Sequence, residues 1–313
     1  MWVSPTLARA RRPHCHGSAN GAFQTRDSRP GNLYSSDMAR PPVSLSIAGS
    51  DPSGGAGIQA DLKTFARLGA YGTAVLTALT AQNTRGVTGL HVVPAGFVAE
   101  QLQTLLADVR VDAVKLGMLA NAEIVAVVRE FLASEPLASA DSVLDPVMVA
   151  TSGDRLLDDA AVGAIRELVP LAAVITPNVA EAAVLLDRSE AVDVAELVAQ
   201  ASDLRGALGA QRVLLKGGHL GGPQAIDVWA DDSGVRQLAA TRVETRNTHG
   251  TGCTLSSALA ALRPQRDDWW HTVRDAKRWL TAALSTADRL EVGGGHGPVD
   301  HFAPFPTAAG ESE

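Results

Sequence analysis

The chain has 313 residues, of which 46% are hydrophobic, 19% charged and only 4% aromatic, with 29 glycines and 16 prolines. This composition supplies a sizeable core and excludes collagen-like and globally disordered chains. The formal net charge is −7, and an acidic protein lacks the basic surface that nucleic-acid binding needs.

The first 37 residues are rich in Arg, Ser, Gly and Pro and have no apolar periodicity. Residues 1–37 are therefore predicted to be a disordered extension. Their twin arginines are not followed by the apolar stretch of a secretory signal. Met38 directly precedes the first segment with an ordered pattern, so we expect translation to start there. Residues 38–313 are predicted to form a single domain.

The chain contains no run near the roughly 20 apolar residues of a membrane span. Its two cysteines, Cys15 and Cys253, do not form a disulfide framework. A cytoplasmic protein without a membrane partner is expected.

From residue 41 onward, short apolar runs alternate with amphipathic helices, a pattern typical of a parallel sheet covered on both faces. One helical stripe contains Ile58, Phe65 and Leu68 and is followed by a glycine that ends the helix. The predicted strands are Val43 to Ala48, Thr73 to Leu79, Ala113 to Leu116, Ser142 to Leu144, Ala173 to Thr176, Arg212 to Lys216 and Ile226 to Trp229. The predicted fold is an α/β/α sandwich.

A glycine-rich turn, GSDPSGGAGIQADLKTF, follows the first strand. Within it Gly55, Gly57 and Ala60 match the GxGxxA pattern of dinucleotide-binding proteins. That interpretation also needs an acidic residue at the end of the second strand, to bind the ribose. The second strand ends in LTAQNT, so a nicotinamide oxidoreductase is disfavoured. The chain also lacks the GxxxxGK[ST] motif of Walker-type nucleotide sites.

A second glycine turn, NTHGTGCTLSSAL, opens a late helix. Gly250 and Gly252 let successive N–H groups point at one position, and the helix start adds partial positive charge, so the turn is suited to an anion. An ordinary loop-to-helix turn is the alternative. Cys253 lies in the first turn of this helix, where the helix terminus is expected to lower the pKa of the thiol. It is either a reactive thiol or a packing residue.

Further polar residues follow three predicted strands, at the edge where α/β sheets bind ligands. Asp145 in DPVM is suited to magnesium, or it starts a turn. Asn178 and Glu181 in TPNxxE have the spacing of a helix capping box. The alternative is that the pair positions a metal-bound water. Lys216 in LLKGGH is a candidate phosphate contact or a solvated strand-end lysine.

Seven motifs occur in order between Val43 and Phe302: GSDPSGGAGIQADLKTF, TALTAQNT, KLGML, DPVMVATSGD, TPNxxE, LLKGGHL and NTHGTGCTLSSALAA. Together they resemble the hydroxymethylpyrimidine/phosphomethylpyrimidine kinases of thiamine biosynthesis, which have the ribokinase-like fold. The resemblance implies a mostly parallel sheet. It also implies transfer of phosphate from ATP, with Mg²⁺, to 4-amino-5-hydroxymethyl-2-methylpyrimidine and then to its monophosphate. Small enzymes of this fold are often homodimers, which makes a homodimer an expectation here.

Carried over motif by motif, the resemblance implies three groups of site residues. Those expected to hold the pyrimidine are Gly49, Asp61, Gln82, Met118 and Val147. Those expected at the transferred phosphoryl group are Lys216 and the anion hole of Gly250, Thr251, Gly252 and Cys253, with Cys253 orienting or deprotonating the hydroxyl. Those expected on the magnesium side are Asp145, Asn178 and Glu181. His219 and His249 flank these motifs without an assigned role.

The same scaffold is compatible with a pyridoxal or pyridoxine kinase, and with a non-catalytic pyrimidine-binding regulator. Retention of Cys253, Asp145 and Lys216 disfavours the regulator, because binding alone does not need phosphoryl-transfer groups. The sequence shows no fixed cation on the pyrimidine side, so the extra charge of a monophosphate acceptor is expected to rest on the anion hole, the metal and Lys216.

Overall fold

The computed structural model describes residues 40–148, 159–218 and 220–306. Its strands are β1 Val43–Ser50, β2 Tyr71–Asn83, β3 Gly86–Val92, β4 Ala113–Leu116, β5 Asp141–Leu144, β6 Val174–Ile175, β7 Val213–Leu215, β8 Gln224–Asp231 and β9 Gly234–Thr241. Its α-helices are α1 Gly57–Arg67, α2 Ala95–Leu106, α3 Ala122–Leu132, α4 Asp159–Leu168, α5 Val179–Leu186, α6 Val194–Leu208, α7 Thr251–Leu262 and α8 Trp269–Ser285. Sheet and helices belong to one compact unit, Pro41–Glu313.

The strands form one sheet in the order β3-β2-β1-β4-β5-β6-β7-β8-β9. Pairing is parallel from β2 through β7 and antiparallel for β2–β3, β7–β8 and β8–β9. The prediction of a mostly parallel sheet is confirmed. Because β9 is antiparallel to β8, it ends at the same edge as the six parallel strands. That edge therefore collects the residues that follow most of the strands.

Helices cover both faces of the sheet, as the apolar runs predict. Buried residues of α2 through α6 pack in one cluster with alternate strand residues such as Val114 and Leu116. Residues of α1, α7 and α8 pack in a second cluster with the intervening strand residues, including Ala113 and Trp229. The period of two along each strand divides its side chains between the layers. The fold is thus a three-layer α/β/α sandwich.

The two strands that the sequence analysis did not predict, β3 and β9, both lie at sheet edges. Most β9 side chains are exposed, so this strand lacks the apolar run that marks a buried strand. The predicted extension of residues 1–37 and His219 lie outside the described residues. In the described ranges, no helix combines the length and apolar composition needed to cross a membrane.

Candidate active site

A cavity of about 760 Å³ opens at the carboxyl edge of the sheet, large enough for a nucleotide and a small acceptor. It is lined by these predicted site residues: Gly49, Gln82, Met118, Asp145, Val147, Asn178, Glu181, Lys216, Gly250, Thr251, Gly252 and Cys253. Strand order fixes their arrangement, because β1 and β7 are four strand spacings apart, or roughly 19 Å. Gly49, after β1, and Lys216, after β7, are therefore at different positions along one groove.

The helix α7 begins at the middle of this groove without a side-chain cap. Gly250, its N-cap residue, has φ of +75° and supplies no capping side chain. The first N–H groups of a helix have no intrahelical acceptor. At Gly250 to Cys253 these groups border the cavity, and together with the helix dipole they form a site suited to an anionic phosphoryl group.

Asp51 and His249 connect the two glycine turns. The Asp51 carboxylate accepts hydrogen bonds from the backbone N–H groups of Ser53 and Ala56 at 2.8 Å. His249 Nε2 lies 2.8 Å from the same carboxylate. Burial raises the pKa of Asp51, but the hydrogen bonds from His249 and Ser53 outweigh burial and lower it below the usual value. The charged carboxylate therefore fixes the first turn against the loop that leads into α7.

Lys216 lies between two acidic side chains that follow neighbouring strands. Its Nζ is 2.9 Å from Asp145 Oδ1 and 3.9 Å from Glu181 Oε2. Burial lowers the pKa of Lys216, but the two carboxylates outweigh it and raise the pKa, so the ammonium stays charged. Burial raises the pKa of Glu181 to about 7, against the opposing effect of Lys216.

The capping box predicted at TPNxxE is present. Asn178 Oδ1 accepts from the Glu181 N–H at 2.9 Å, and Glu181 Oε2 accepts from the Asn178 N–H at 2.8 Å. Both residues still line the cavity. The capping interpretation and the site interpretation are thus compatible, because only one oxygen of Glu181 is used by the box.

The donor set of this acidic pair fits a magnesium ion that takes its other ligands from water and nucleotide phosphates. In the described part of the chain, no group of three or more His, Cys, Asp or Glu side chains is arranged to hold a metal. Mg²⁺ commonly uses one or two carboxylates together with water and substrate phosphates. Asp145 and Glu181 would be the carboxylates for such an ion, and Lys216 between them balances part of their charge.

Cys253 is half-buried at the cavity wall. The prediction that the helix start lowers its thiol pKa is wrong, because burial raises the pKa to about 11, and neither Lys115 nor the Gly57 N–H compensates. With this pKa the group is a neutral thiol at pH 7.

The structure also corrects the prediction that Asp61 binds the pyrimidine. Asp61 is fully buried and is not among the cavity-lining residues. Its carboxylate pairs with Lys115 at 2.9 Å. Lys115 borders the cavity but its side chain has no exposed surface, so a fixed cation lies beneath the cavity wall. A lysine within the buried run AVKL was the sequence signal for it.

Gln82 lies at the cavity wall near the carboxyl end of β2. Its Nε2 lies 3.4 Å from His249 Nε2, and its Oε1 lies 3.1 Å from Thr80 Oγ1. The amide is thus oriented by protein groups while one side borders the cavity.

The far end of the groove was not anticipated from the sequence. Val243, Leu280 and Leu284 provide an apolar wall there. The buried pair Lys277–Asp227, with Nζ to Oδ2 of 2.6 Å, adjoins it. An apolar slot with a few polar groups is typical of a site for a planar ring.

Comparison with known proteins identifies relatives over most of the chain. The model of the phosphomethylpyrimidine kinase family matches residues 51–300. The chain is 53% identical to a hydroxymethylpyrimidine/phosphomethylpyrimidine kinase of Salmonella typhimurium, over 82% of this chain and 96% of the relative. It is equally identical, with the same coverage, to the Escherichia coli protein of that name.

Solved structures agree with the fold. A Bacillus subtilis pyridoxal kinase in complex with ADP superposes with a TM-score of 0.76 at 34% identity, over 84% of this chain and 98% of that chain. A phosphomethylpyrimidine kinase from Clostridium difficile gives a TM-score of 0.68 at 36% identity, over 78% and 99% of the two chains. These structures establish the ribokinase-like fold.

The contact between the two glycine turns predicts a severe effect of Gly250→Ala. A Cβ at residue 250 would overlap the carbonyl oxygen of Gly55, and φ there is +75°. We expect a loss of about 2–4 kcal/mol in the free energy of unfolding, measured by urea denaturation. Gly163→Ala is the matched control, because its Cβ meets nothing within 4 Å and alanine favours a helix. Equal midpoints for the two variants would contradict the close approach.

The raised pKa of Glu181 predicts that stability falls with pH. Its pKa is about 7 in the folded chain against an ordinary 4.5, so between these values the folded state binds more protons than the unfolded state. The free energy of unfolding therefore decreases as pH rises from about 4.5 to about 7, by about 2–3 kcal/mol at most. We expect Glu181→Gln, which retains a capping side chain, to remove this component and to melt above the wild type at pH 8. Identical pH dependence of the two melting temperatures would contradict the assignment.

Proposed function

This chain belongs to the phosphomethylpyrimidine kinase family, and we propose that its cavity performs two successive phosphorylations with ATP. The first acceptor is 4-amino-5-hydroxymethyl-2-methylpyrimidine, and the second is its monophosphate, which becomes the diphosphate used in thiamine biosynthesis. The chain is a phosphotransferase. The observation that supports this function most directly is the single groove in which Lys216 and the start of α7 lie between an acceptor end and an apolar end.

In each step the acceptor oxygen forms a bond to the γ-phosphorus of ATP, and the bond from that phosphorus to the bridging oxygen breaks. ADP leaves in both steps. In the first step the acceptor hydroxyl also loses a proton, whereas in the second step the acceptor is a phosphate oxygen that is already largely deprotonated near pH 7. Such transfers depend mainly on positioning and charge stabilisation. Lys216 and the N–H groups at Gly250 to Cys253 are suited to stabilise the transferred group, because they lie close together. A Cβ on Gly252 would lie 3.2 Å from Lys216 Nζ.

The acceptor ring is assigned to the end lined by Gly49, Gln82, Met118 and Val147. An amide can pair with an amino group and a ring nitrogen together, and leaving such groups unpaired is costly. Cys253 is assigned to the acceptor hydroxyl. Because burial keeps its thiol neutral at pH 7, it orients the hydroxyl first, and it accepts the hydroxyl proton only after releasing its own proton to solvent water.

Mg²⁺ supplies charge neutralisation on the nucleotide phosphates when it is bound. Asp145 and Glu181 are the residues assigned to hold it, with Asn178 fixing Glu181 through the capping box. A homodimer and a cytoplasmic location remain predictions.

The similarity to pyridoxal kinases makes pyridoxal phosphorylation the competing function. We expect ADP release with the hydroxymethylpyrimidine and with its monophosphate, at a kcat/KM about 10² or more above the values for pyridoxine and pyridoxal. A preference for pyridoxal would assign the competing function. Binding of the pyrimidine without ADP release would indicate a regulator, and consumption of the free alcohol alone would refute the second step.

Substitution of the thiol provides a separate prediction. Cys253→Ala is expected to reduce kcat by about 10²–10⁴ while the KM for ATP stays near the wild-type value, because the thiol acts on the acceptor. Steady-state rates with both pyrimidines measure it. Cys15→Ser is the control, since that cysteine is in the predicted extension. Near-wild-type turnover of Cys253→Ala would make Cys253 a packing residue.

A further inference from the structure

An ion pair without solvent access lies beneath the acceptor end of the cavity. Lys115 Nζ is 3.0 and 2.9 Å from the two carboxylate oxygens of Asp61, and both side chains are 0% exposed. The carboxylate also accepts from Ser46 Oγ at 2.6 Å and from Ser257 Oγ at 2.7 Å. Four elements, β1, α1, β4 and α7, therefore meet at one carboxylate.

The stability of the fold does not explain this pair. Removing two charges from water costs several kcal/mol per ion, and apolar replacements of buried ion pairs are often neutral or stabilising. Both carboxylate oxygens of Asp61 accept hydrogen bonds, so the network is fully satisfied. The network nevertheless adds little to the stability of the core. A role in the neighbouring site is the better explanation.

The pair is oriented with its positive end toward the cavity. Lys115 lines the cavity and Asp61 does not, because β4 alternation points Lys115 to the same layer as Ala113, between α1 and α7. On α7, Ser257 follows Cys253 by four residues and so lies on the same helix face. The carboxylate that binds Ser257 thus holds the lysine below Cys253.

We infer that Lys115, held by Asp61, stabilises the negative charge on the Cys253 sulfur to which the acceptor hydroxyl transfers its proton. The inference rests on the proposed function. Cys253 first releases its own thiol proton to solvent water. In the transfer step, the resulting thiolate takes the hydroxyl proton, the oxygen forms its bond to the γ-phosphorus, and the phosphorus–oxygen bond to ADP breaks. Lys115 acts through Cys253 and is a positioning residue, since it places a fixed charge without touching the substrate.

Of the charged groups around Cys253, Lys115 has the effect on the thiol pKa that the inference requires. Burial raises the pKa of Cys253, and Lys115 is the group that opposes this most, while Asp61 and Asp145 add to the increase. Lys216 also interacts electrostatically with Cys253. Burial lowers the pKa of Lys115 itself, but Asp61 outweighs it and raises the pKa, so the ammonium keeps its charge.

The test removes both charges together, so that no lone ion is left in the core. Lys115→Met/Asp61→Asn is made in the full chain with Cys15→Ser, which leaves Cys253 as the one thiol of the two cysteines. The rate of alkylation by iodoacetamide is measured against pH, beside thermal denaturation and steady-state kinetics. We expect a folded protein whose alkylation midpoint moves up by about one pH unit or more. We also expect kcat to fall about tenfold or more with the KM for ATP unchanged.

The control is Arg266→Met/Asp275→Asn, which removes an ion pair of 2.6 Å whose residues do not line the cavity. It should leave the alkylation profile and kcat unchanged. Lys115→Arg keeps the charge and is expected to keep the alkylation midpoint within half a unit of wild type. A folded double variant with the wild-type alkylation profile and kcat would overturn the inference.

If the double variant fails to melt cooperatively, the Lys115→Arg variant provides the test. An alkylation midpoint above that of the wild type, although the charge is retained, overturns the inference. The alkylation readout needs no turnover. A wild-type protein inactive on both pyrimidines would therefore refute the proposed function separately from the role of Lys115.

Discussion

Two glycine turns separated by almost 200 residues in sequence pass within atomic contact of each other, and the site depends on that approach. A Cβ on Gly250 would occupy the same space as the Gly55 carbonyl, so the backbone geometry excludes side chains at the junction. Asp51 and His249 hold the two turns together through buried hydrogen bonds. The start of α7 can face the acceptor end only because this junction brings the first turn and the late helix to one wall.

The site concentrates buried charge, and each charge is compensated by a specific partner. Lys216 is balanced by Asp145 and Glu181, and Lys115 is balanced by Asp61. Charges in a low-dielectric site act strongly on their neighbours and need no reorganisation during the reaction. Burial of these ions costs desolvation free energy. The ions lie at the carboxyl edge, where α/β sheets bind their ligands.

At two of the predicted site residues, burial overrides what the local sequence pattern indicates. The helix start at Cys253 favours a thiolate, yet desolvation is larger and keeps the thiol neutral. At Asp61 the helix stripe suggests a residue at the edge of the pocket, whereas the carboxylate is enclosed by Lys115 and two serines. In both cases the deciding quantity is the solvent access of one side chain, which depends on packing by elements distant in sequence.

The sequence by itself determined the layered α/β architecture, the motifs at the strand ends and the capping box at Asn178, because these depend on periodicity and on residues a few positions apart. The edge strands β3 and β9 were not apparent, since strands with solvent on one side lack a continuous apolar run. Only the tertiary structure decided that Lys115 turns toward the cavity while Asp61 lies behind it. The direction of a buried ion pair is set by contacts among β1, α1, β4 and α7, and no local pattern encodes which of its two ends faces the cavity.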